Sequence, residues 1–196
     1  MARPRTFDED ETLDRVVDLF WSQGYQATSL QDLIATTGLP KGSLYNAFGD
    51  KRALFDKALD RYCRGVESKM RSLLESAPDA VVVDSWLDFL SRDLRTDAHP
   101  RGCMAMQTGA ELGPHDEEIR ARLAEHRKCL FELLKGATER AQAASALRSD
   151  LTPAEIAEAL WTFAAGLQTQ NRRGLTPGEI RRQTQSIACL IGAKRA

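Results

Sequence analysis

One short segment of the sequence contains a cation, small residues and side chains that end in hydrogen-bonding groups. Lys41 supplies a positive charge suited to phosphate, and Gly42 and Ser43 are small enough to allow close backbone approach. Tyr45 and Asn46 carry hydrogen-bonding groups that can reach base edges. This combination predicts contacts to nucleic acid, and it is the strongest chemical signal in the chain.

Further candidates flank this segment on both sides. Thr28 and Ser29 precede a helical pattern, and the N–H groups at a helix N-terminus favour an anion such as phosphate. Lys51 begins the next helical pattern and is expected to hold the DNA backbone from the other side. The candidate DNA-contacting residues are therefore Thr28, Ser29, Lys41, Gly42, Ser43, Tyr45, Asn46 and Lys51. The alternative is a plain helical hairpin with a polar surface.

Short helices joined by a tight turn must position these residues. A first helix is predicted over about 10–23, and a second begins at the capping pair Ser29 and Asp32. After Gly38, which suits a turn with positive φ, a third helix covers about 41–48. The last two helices have the dimensions of a helix-turn-helix, whose second helix can lie in the major groove.

The rest of the chain predicts longer helices. Apolar residues recur at helical spacing, and no useful stretch alternates with period two. The predicted helices cover about 51–75, 79–95, 102–112, 116–145, 153–172 and 177–192. We therefore expect an all-α fold of about nine helices. A three-helix, helix-turn-helix DNA-binding domain is expected over residues 1–50, and a larger helical bundle for ligand binding and dimerisation over 51–196.

Composition and charge exclude several classes of protein. The 196 residues carry 27 Lys and Arg against 28 Asp and Glu, so no overall positive charge attracts the chain to nucleic acid. No apolar run approaches the ~20 residues that span a bilayer, and no secretory signal is visible. Four cysteines without CxxC spacing indicate free thiols in a reducing cytoplasm. The three histidines are too scattered to predict a metal site, and we expect no cofactor.

Local charge favours DNA more than net charge does. Residues 19–64 contain six basic and four acidic side chains. Arg3 and Arg5 add a basic arm that can reach a minor groove, the alternative being a tail without a role.

The segment from Tyr25 to Lys51 strongly resembles the TetR/AcrR family of transcriptional regulators. The matching motifs read YQATSLQDLI and TGLPKGSLYNAFGDK, and the match extends over about residues 10–58. The resemblance implies a dimeric, all-helical, ligand-responsive repressor with one helix-turn-helix in each subunit. It also implies that the positions of Thr28, Lys41, Gly42, Ser43, Tyr45 and Lys51 face DNA. Asn46 stands where the family often has a larger polar or aromatic residue.

The same resemblance implies an effector cavity in the bundle, and pockets between bundle helices are common ligand sites. The candidate effector-binding residues are Trp86, Cys103, Met106, Gln107, Phe131 and Trp161. We expect a small, mostly apolar effector. The alternative for each residue is a place in the packed core.

Two predicted helices near the C-terminus carry wide apolar stripes. Their members are Ile156, Leu160, Phe163, Ala164 and Leu167 on one helix and Ile180, Ile187, Leu190 and Ile191 on the other. We expect two such hairpins to pack as a four-helix homodimer interface, as the resemblance also implies. The alternative is that both stripes face the core of their own chain.

Cys103 is also a candidate redox site. It is expected at a helix N-terminus close to Arg101, and both features favour the thiolate. The pair Gly102 and Cys103 resembles an element of those family members that respond to oxidants or electrophiles. The alternative is a small buried residue at a helix start.

These observations favour a ligand-responsive repressor, not an enzyme. It is expected to bind double-stranded operator DNA as a homodimer in the cytoplasm and to release it when a small molecule binds. A thiol sensor acting through Cys103 is the main variant. A different alternative is a cysteine hydrolase that pairs Cys103 with His99, His115 or His126. A helical adaptor that binds no DNA is the third.

Overall fold

The computed structural model describes residues 7–96 and 100–192, and this part of the chain contains nine α-helices and no strand. The helices are α1 (Glu9–Gln23), α2 (Leu30–Thr37), α3 (Lys41–Phe48), α4 (Lys51–Ser76), α5 (Val82–Thr96), α6 (Met104–Glu111), α7 (Glu117–Ala143), α8 (Pro153–Asn171) and α9 (Pro177–Ile191). The all-α prediction is confirmed. The candidates Arg3, Arg5 and His99 lie outside the described residues.

The chain divides into two compact units. Among the described residues, the first unit combines the chain up to Gly65 with Met104–Arg120. The second unit combines Val66–Cys103 with the chain from Ala121 onward. Helix α4 therefore contributes to both units, and α6 belongs with the N-terminal helices. The predicted domain boundary at residue 50 stays a prediction.

Aromatic and aliphatic side chains from α1 to α4 build the core of the first unit. Phe20 of α1 meets Phe55 of α4 edge to face, with ring centroids 5.0 Å apart. Leu33 of α2 and Leu44 of α3 are fully buried. Each short helix thus turns one apolar face away from water, which is what stabilises helices of this length.

Capping boxes fix the start of three helices. In each box a hydroxyl accepts the N–H three residues later, and the acid at that position accepts the N–H of the cap. The pairs are Ser29–Asp32 at α2, Thr152–Glu155 at α8 and Thr176–Glu179 at α9. The predicted box at α2 is confirmed.

One large apolar cluster forms the core of the second unit, with members from α4, α5, α7, α8 and α9. It takes up most of the apolar stripes that were expected at a dimer interface. The stripe members that the chain itself buries are Ile156, Leu160, Ala164, Leu167, Ile180 and Ile191. For these residues the expectation of a partner's surface is wrong, because their own unit already removes them from water. Leu190 remains 65% exposed.

Candidate nucleic-acid interface

Helices α2 and α3 form the predicted helix-turn-helix. Gly38 ends α2 in the left-handed conformation, with φ of 69°, and its N–H donates to the Ile34 carbonyl at 2.9 Å. Leu44 and Phe48 anchor α3 in the core of the first unit. Because one face of α3 is buried, its opposite face is free to meet another molecule.

The exposed face of α3 carries the predicted contacts. Lys41, Gly42, Ser43 and Asn46 are exposed, and Tyr45 is half-buried. The Lys41 Nζ lies 5.7 Å from the centroid of the Tyr45 ring. A cation, two small residues and two hydrogen-bonding tips therefore share one surface, which suits contacts to phosphates and base edges.

Two further lysines lie close to aromatic rings in the same unit. The Lys51 Nζ is 4.5 Å from the centroid of Tyr25, and the Lys57 Nζ is 5.5 Å from the centroid of Phe48. Sequence reasoning found Lys51 but missed Lys57. No local motif could have indicated Lys57, because its place beside the end of α3 depends on how α4 packs.

The start of α2 is held by its own side chains. Thr28 is fully buried, and its hydroxyl donates to the Gly24 carbonyl at 2.6 Å. Ser29 is exposed, and Asp32 accepts both its N–H at 2.8 Å and its hydroxyl at 2.7 Å. The Ser29 hydroxyl lowers the pKa of Asp32 below its usual range. Thr28 and Ser29 were predicted to favour phosphate through backbone N–H groups, and that remains a prediction.

Part of the acidic face of α1 is neutralised within the first unit. The Arg61 guanidinium donates to both oxygens of Asp14, at 2.6 and 2.9 Å, and to Asp10 at 2.7 Å. These hydrogen bonds lower the pKa of Asp14. The arrangement joins α1 to α4 and reduces the repulsion that these acids would exert on a phosphate backbone.

Segment 104–120 is joined by two polar ties to the elements on either side of the helix-turn-helix, and sequence reasoning missed both ties. Glu111 accepts the N–H groups of Tyr25 and Gln26, at 3.0 and 2.6 Å. Arg52 donates to Asp116, which lowers the pKa of that carboxyl. Bonds between residues so far apart in sequence leave no local signal.

The predicted effector residues divide between the two units. Trp86 is buried in the apolar cluster of the second unit, and Phe131 and Trp161 pack against that cluster. Cys103 also falls in the second unit, whereas Met106 and Gln107 lie on α6 in the first. The structure therefore places three of the six candidates around one core.

A cavity of about 80 Å³ lies elsewhere in the second unit. It is lined by Ala80, Val83, Asp84, Ala141, Ala146, Leu147, Ala188 and Gly192. This volume is well below the ~300–1,000 Å³ of typical small-molecule sites. The six candidate effector residues are all described, and none lines this cavity.

Cys103 is half-buried and directly precedes α6. Gly102 before it has φ of 69°, and a Cβ at this glycine would lie 3.1 Å from the Arg172 side chain. A helix N-terminus and nearby guanidinium groups favour a thiolate over a thiol. The predicted place of Cys103 at a helix start is present, while a cation beside its thiol and its reactivity stay predictions.

The described histidines have different surroundings. His126 is 7% exposed, and its Nδ1 lies 2.6 Å from Glu67 Oε1. Cys129, one turn further along α7, has its thiol pKa raised, chiefly by burial. A raised pKa keeps the thiol protonated, which opposes nucleophilic chemistry at this cysteine. His115 is exposed in the first unit.

No group of three or more His, Cys, Asp or Glu side chains among the described residues could hold a metal ion. No helix in the described ranges is both long enough and apolar enough to cross a membrane.

Two regions of the sequence match known family models. Residues 13–58 match "Bacterial regulatory proteins, tetR family", and residues 79–187 match "Tetracyclin repressor-like, C-terminal domain". The chain belongs to the TetR family of transcriptional regulators. The resemblance that the helix-turn-helix motifs suggested is therefore confirmed, and it extends to the second unit.

Individual TetR-family relatives are similar over most of the chain. The HTH-type transcriptional repressor ComR of Escherichia coli K12 is 29% identical over 176 residues, which cover 88% of this chain and 83% of ComR. A cysteine-substituted CifR in complex with 26-bp double-strand operator DNA is 28% identical, with a TM-score of 0.85. That match covers 97% of this chain and all of the CifR chain. The reduced form of E. coli NemR, 20% identical with a TM-score of 0.80, covers 95% of this chain and 98% of its own and shares the fold.

Proposed function

We propose that this TetR-family protein is a homodimeric repressor that binds double-stranded operator DNA through α3 and releases it on binding a small molecule. The observation that carries the proposal is the face of α3, which presents Lys41, Ser43 and Asn46 while Leu44 and Phe48 anchor the helix. Support also comes from the relatives, because ComR is named a repressor and CifR was solved on operator DNA. We expect the protein to act in the cytoplasm, where it would meet operator DNA.

We expect a dimer because the helix proposed to contact the bases is short. Helix α3 has eight residues and can contact only a few base pairs, so paired half-sites about one helical turn apart would supply affinity and specificity. The exposed Leu190 and the half-buried Phe163 and Ile187 are apolar positions that a second copy can cover. A Leu190→Asp variant should then dissociate at higher protein concentration than the wild type in sedimentation runs.

Operator binding is tested by a salt titration against two DNA probes. One probe is the duplex flanking the gene for this protein, and the other is random duplex of equal length. Tight binding that prefers the flanking duplex and weakens steeply with salt is expected. No binding to either probe by folded dimer would contradict the proposal and favour the adaptor alternative.

Single lysine variants locate the interface. Lys51→Ala should weaken operator binding roughly three- to tenfold and reduce the salt slope by about one. Lys128→Ala is the control, because it removes one lysine charge from α7 in the second unit, where Lys128 is exposed and Lys51 in the first unit is half-buried. Equal losses for the two variants would show that only net charge matters, and would remove Lys51 from the interface.

A thiol sensor acting through Cys103 is the second candidate. It is supported by the place of the half-buried Cys103 directly before α6. The solved relatives also include cysteine-substituted CifR and the reduced form of NemR. Hydrogen peroxide or N-ethylmaleimide should release operator from the wild type and from Cys189→Ser, whose cysteine is exposed, but not from Cys103→Ser. Release from Cys103→Ser would contradict this candidate and leave the reversible effector.

A further inference from the structure

One carboxylate of α6 holds the turn between α1 and α2. Glu111 Oε2 accepts the Tyr25 N–H at 3.0 Å, and its Oε1 accepts the Gln26 N–H at 2.6 Å. Hydrogen bonds to an ionised acceptor are about twice as strong as bonds between neutral groups. Both oxygens are used on consecutive N–H groups, so the carboxylate fixes the turn in position and in orientation.

The turn is shaped to admit this carboxylate. Gly24 has φ of 86°, a conformation that other residues rarely adopt. A Cβ at Gly24 would lie 2.9 Å from Glu111 Oε2, closer than real side chains allow. The glycine therefore serves two needs at once, the backbone conformation and the close approach of Glu111.

The same turn supports predicted phosphate contacts on both of its sides. On one side, the Tyr25 ring lies against Lys51, with Nζ 4.5 Å from the centroid. On the other, the Gly24 carbonyl accepts the Thr28 hydroxyl at 2.6 Å and so holds the start of α2. Moving the turn would displace Lys51 and the α2 N-terminus together.

A second tie strengthens the same connection. Arg52, the neighbour of Lys51, donates to Asp116 and also to Asp56. Asp116 in turn accepts the Ile119 N–H at 3.0 Å and caps α7. Segment 104–120 thus holds the N-terminal helices of its own unit at the α1–α2 turn and at the start of α4.

We propose that Glu111 is a positioning residue for operator binding, which keeps Lys51 and the start of α2 in the geometry that meets DNA phosphates. The inference rests on the proposed function, since it assigns a role in DNA binding to a residue that need not touch DNA. The positioning role predicts the direction in which DNA affinity changes when the acid is removed. Removing an acid from a DNA-binding unit by itself reduces repulsion and tightens binding. Removing a positioning acid weakens binding instead.

The experiment compares Glu111→Ala and Glu111→Gln with Glu125→Ala. Glu125 is an exposed carboxylate of α7, and the described residues offer it no hydrogen bond or ion pair, so its removal changes charge alone. Glu111→Ala should lose about ten- to hundredfold in affinity for the flanking duplex, while affinity for random duplex changes less than about threefold. Glu111→Gln keeps one acceptor oxygen and should lose less. Glu125→Ala should bind both probes as tightly as the wild type or slightly more tightly.

Amide hydrogen exchange supplies a readout that does not depend on DNA. The Tyr25 and Gln26 amides should exchange faster in Glu111→Ala than in Glu125→Ala, with α8 amides unchanged. If Glu111→Ala fails to fold, Glu111→Gln carries both measurements.

The outcomes separate the two proposals. In one outcome the wild type prefers the operator, and both Glu111 variants bind it as tightly as Glu125→Ala does. That outcome would overturn the positioning role and leave the repressor proposal intact. An equal loss on operator and random duplex would also overturn it. A wild type without operator preference would overturn the proposed function itself, and the positioning role with it.

Discussion

The two units hold their helices together by different means. In the first unit, charged groups join elements far apart in sequence, as Arg61 does with Asp14 and Glu111 does with the α1–α2 turn. In the second unit one apolar cluster joins five helices, and the long-range polar pairs beside it include the buried His126 with Glu67 and the half-exposed Arg127–Glu158. Exposed pairs of this kind contribute only about 0–1 kcal/mol.

The difference suits the proposed roles of the two units. A small unit buries less apolar surface, so directional polar bonds supply a larger share of its stability. Those bonds also fix geometry, which a surface that meets regularly spaced phosphates requires. Apolar packing is less directional, so a large apolar core can change its arrangement when an effector binds. We therefore expect substitutions in the two units to differ in kind as well as in size.

The largest effect is expected from a cavity in the apolar core of the second unit. Leu134 is fully buried, and Leu134→Ala should lower the free energy of unfolding by about 2–5 kcal/mol, measured by urea denaturation. Val81→Ala is the control, because Val81 is 44% exposed and should cost less than about 0.5 kcal/mol. Equal losses would mean that the cluster does not dominate the stability of this unit.

A matched pair of helix caps compares the two units directly. Ser29→Ala in the first unit and Thr176→Ala in the second each break a capping box and should each cost about 1 kcal/mol. Only Ser29→Ala should also weaken operator binding in a titration, because only its box lies at the proposed interface. Equal operator affinity for the two variants would remove the α2 N-terminus from that interface.

A smaller effect is expected from the ion pair of Asp116. Arg52 lowers the pKa of Asp116 in the folded state, so the pair stabilises the fold above the unfolded pKa of about 3.9. That contribution disappears as the pH falls through the folded pKa. Asp116→Asn keeps a good helix cap but loses the charge, so its melting temperature should be lower than wild type at pH 7 and equal to it in acid. A melting temperature that falls by the same amount at both pH values would contradict the assigned cause.

The smallest expected effect is a rise in melting temperature, and it concerns an acid of the second unit. Burial, with a contribution from nearby Asp88, raises the pKa of Asp84. A carboxyl whose pKa is raised on folding favours the fold when protonated and opposes it at neutral pH. Asp84→Asn should therefore raise the melting temperature slightly at pH 7, and this gain should vanish in acid. A lower melting temperature at pH 7 would contradict the assigned cause.

The helices and the helix-turn-helix could be predicted from sequence because their signals are local. The capping box of Ser29 and Asp32, the positive φ of Gly38 and the spacing of Leu44 and Phe48 all lie within one or two turns. The α3 residues were found for the same reason. Family resemblance also identified the second unit's class without identifying any contact within it.

The features that the sequence could not predict depend on packing between residues far apart in the chain. The Glu111–Tyr25 bond joins residues 86 positions apart, and nothing near either residue indicates the other. The effector candidates show a second limit. Aromatic residues at helical spacing look alike whether they line a pocket or fill a core, and Trp86 proved to be 6% exposed within the core. The buried members of the stripe on α8, such as Leu160 and Leu167, were misassigned to a partner for the same reason.

The three tryptophans are distributed between the units in a useful way. Trp21 lies in the first unit, edge to face with Tyr62 at 5.0 Å between ring centroids, whereas Trp86 and Trp161 lie in the second. Replacing Trp86 and Trp161 with phenylalanine leaves a single indole, so its emission reports on the first unit alone. The complementary variant, Trp21→Phe, reports on the second. The chain thus carries its own optical labels, and the order in which the two units respond to DNA or effector can be followed without attaching a dye.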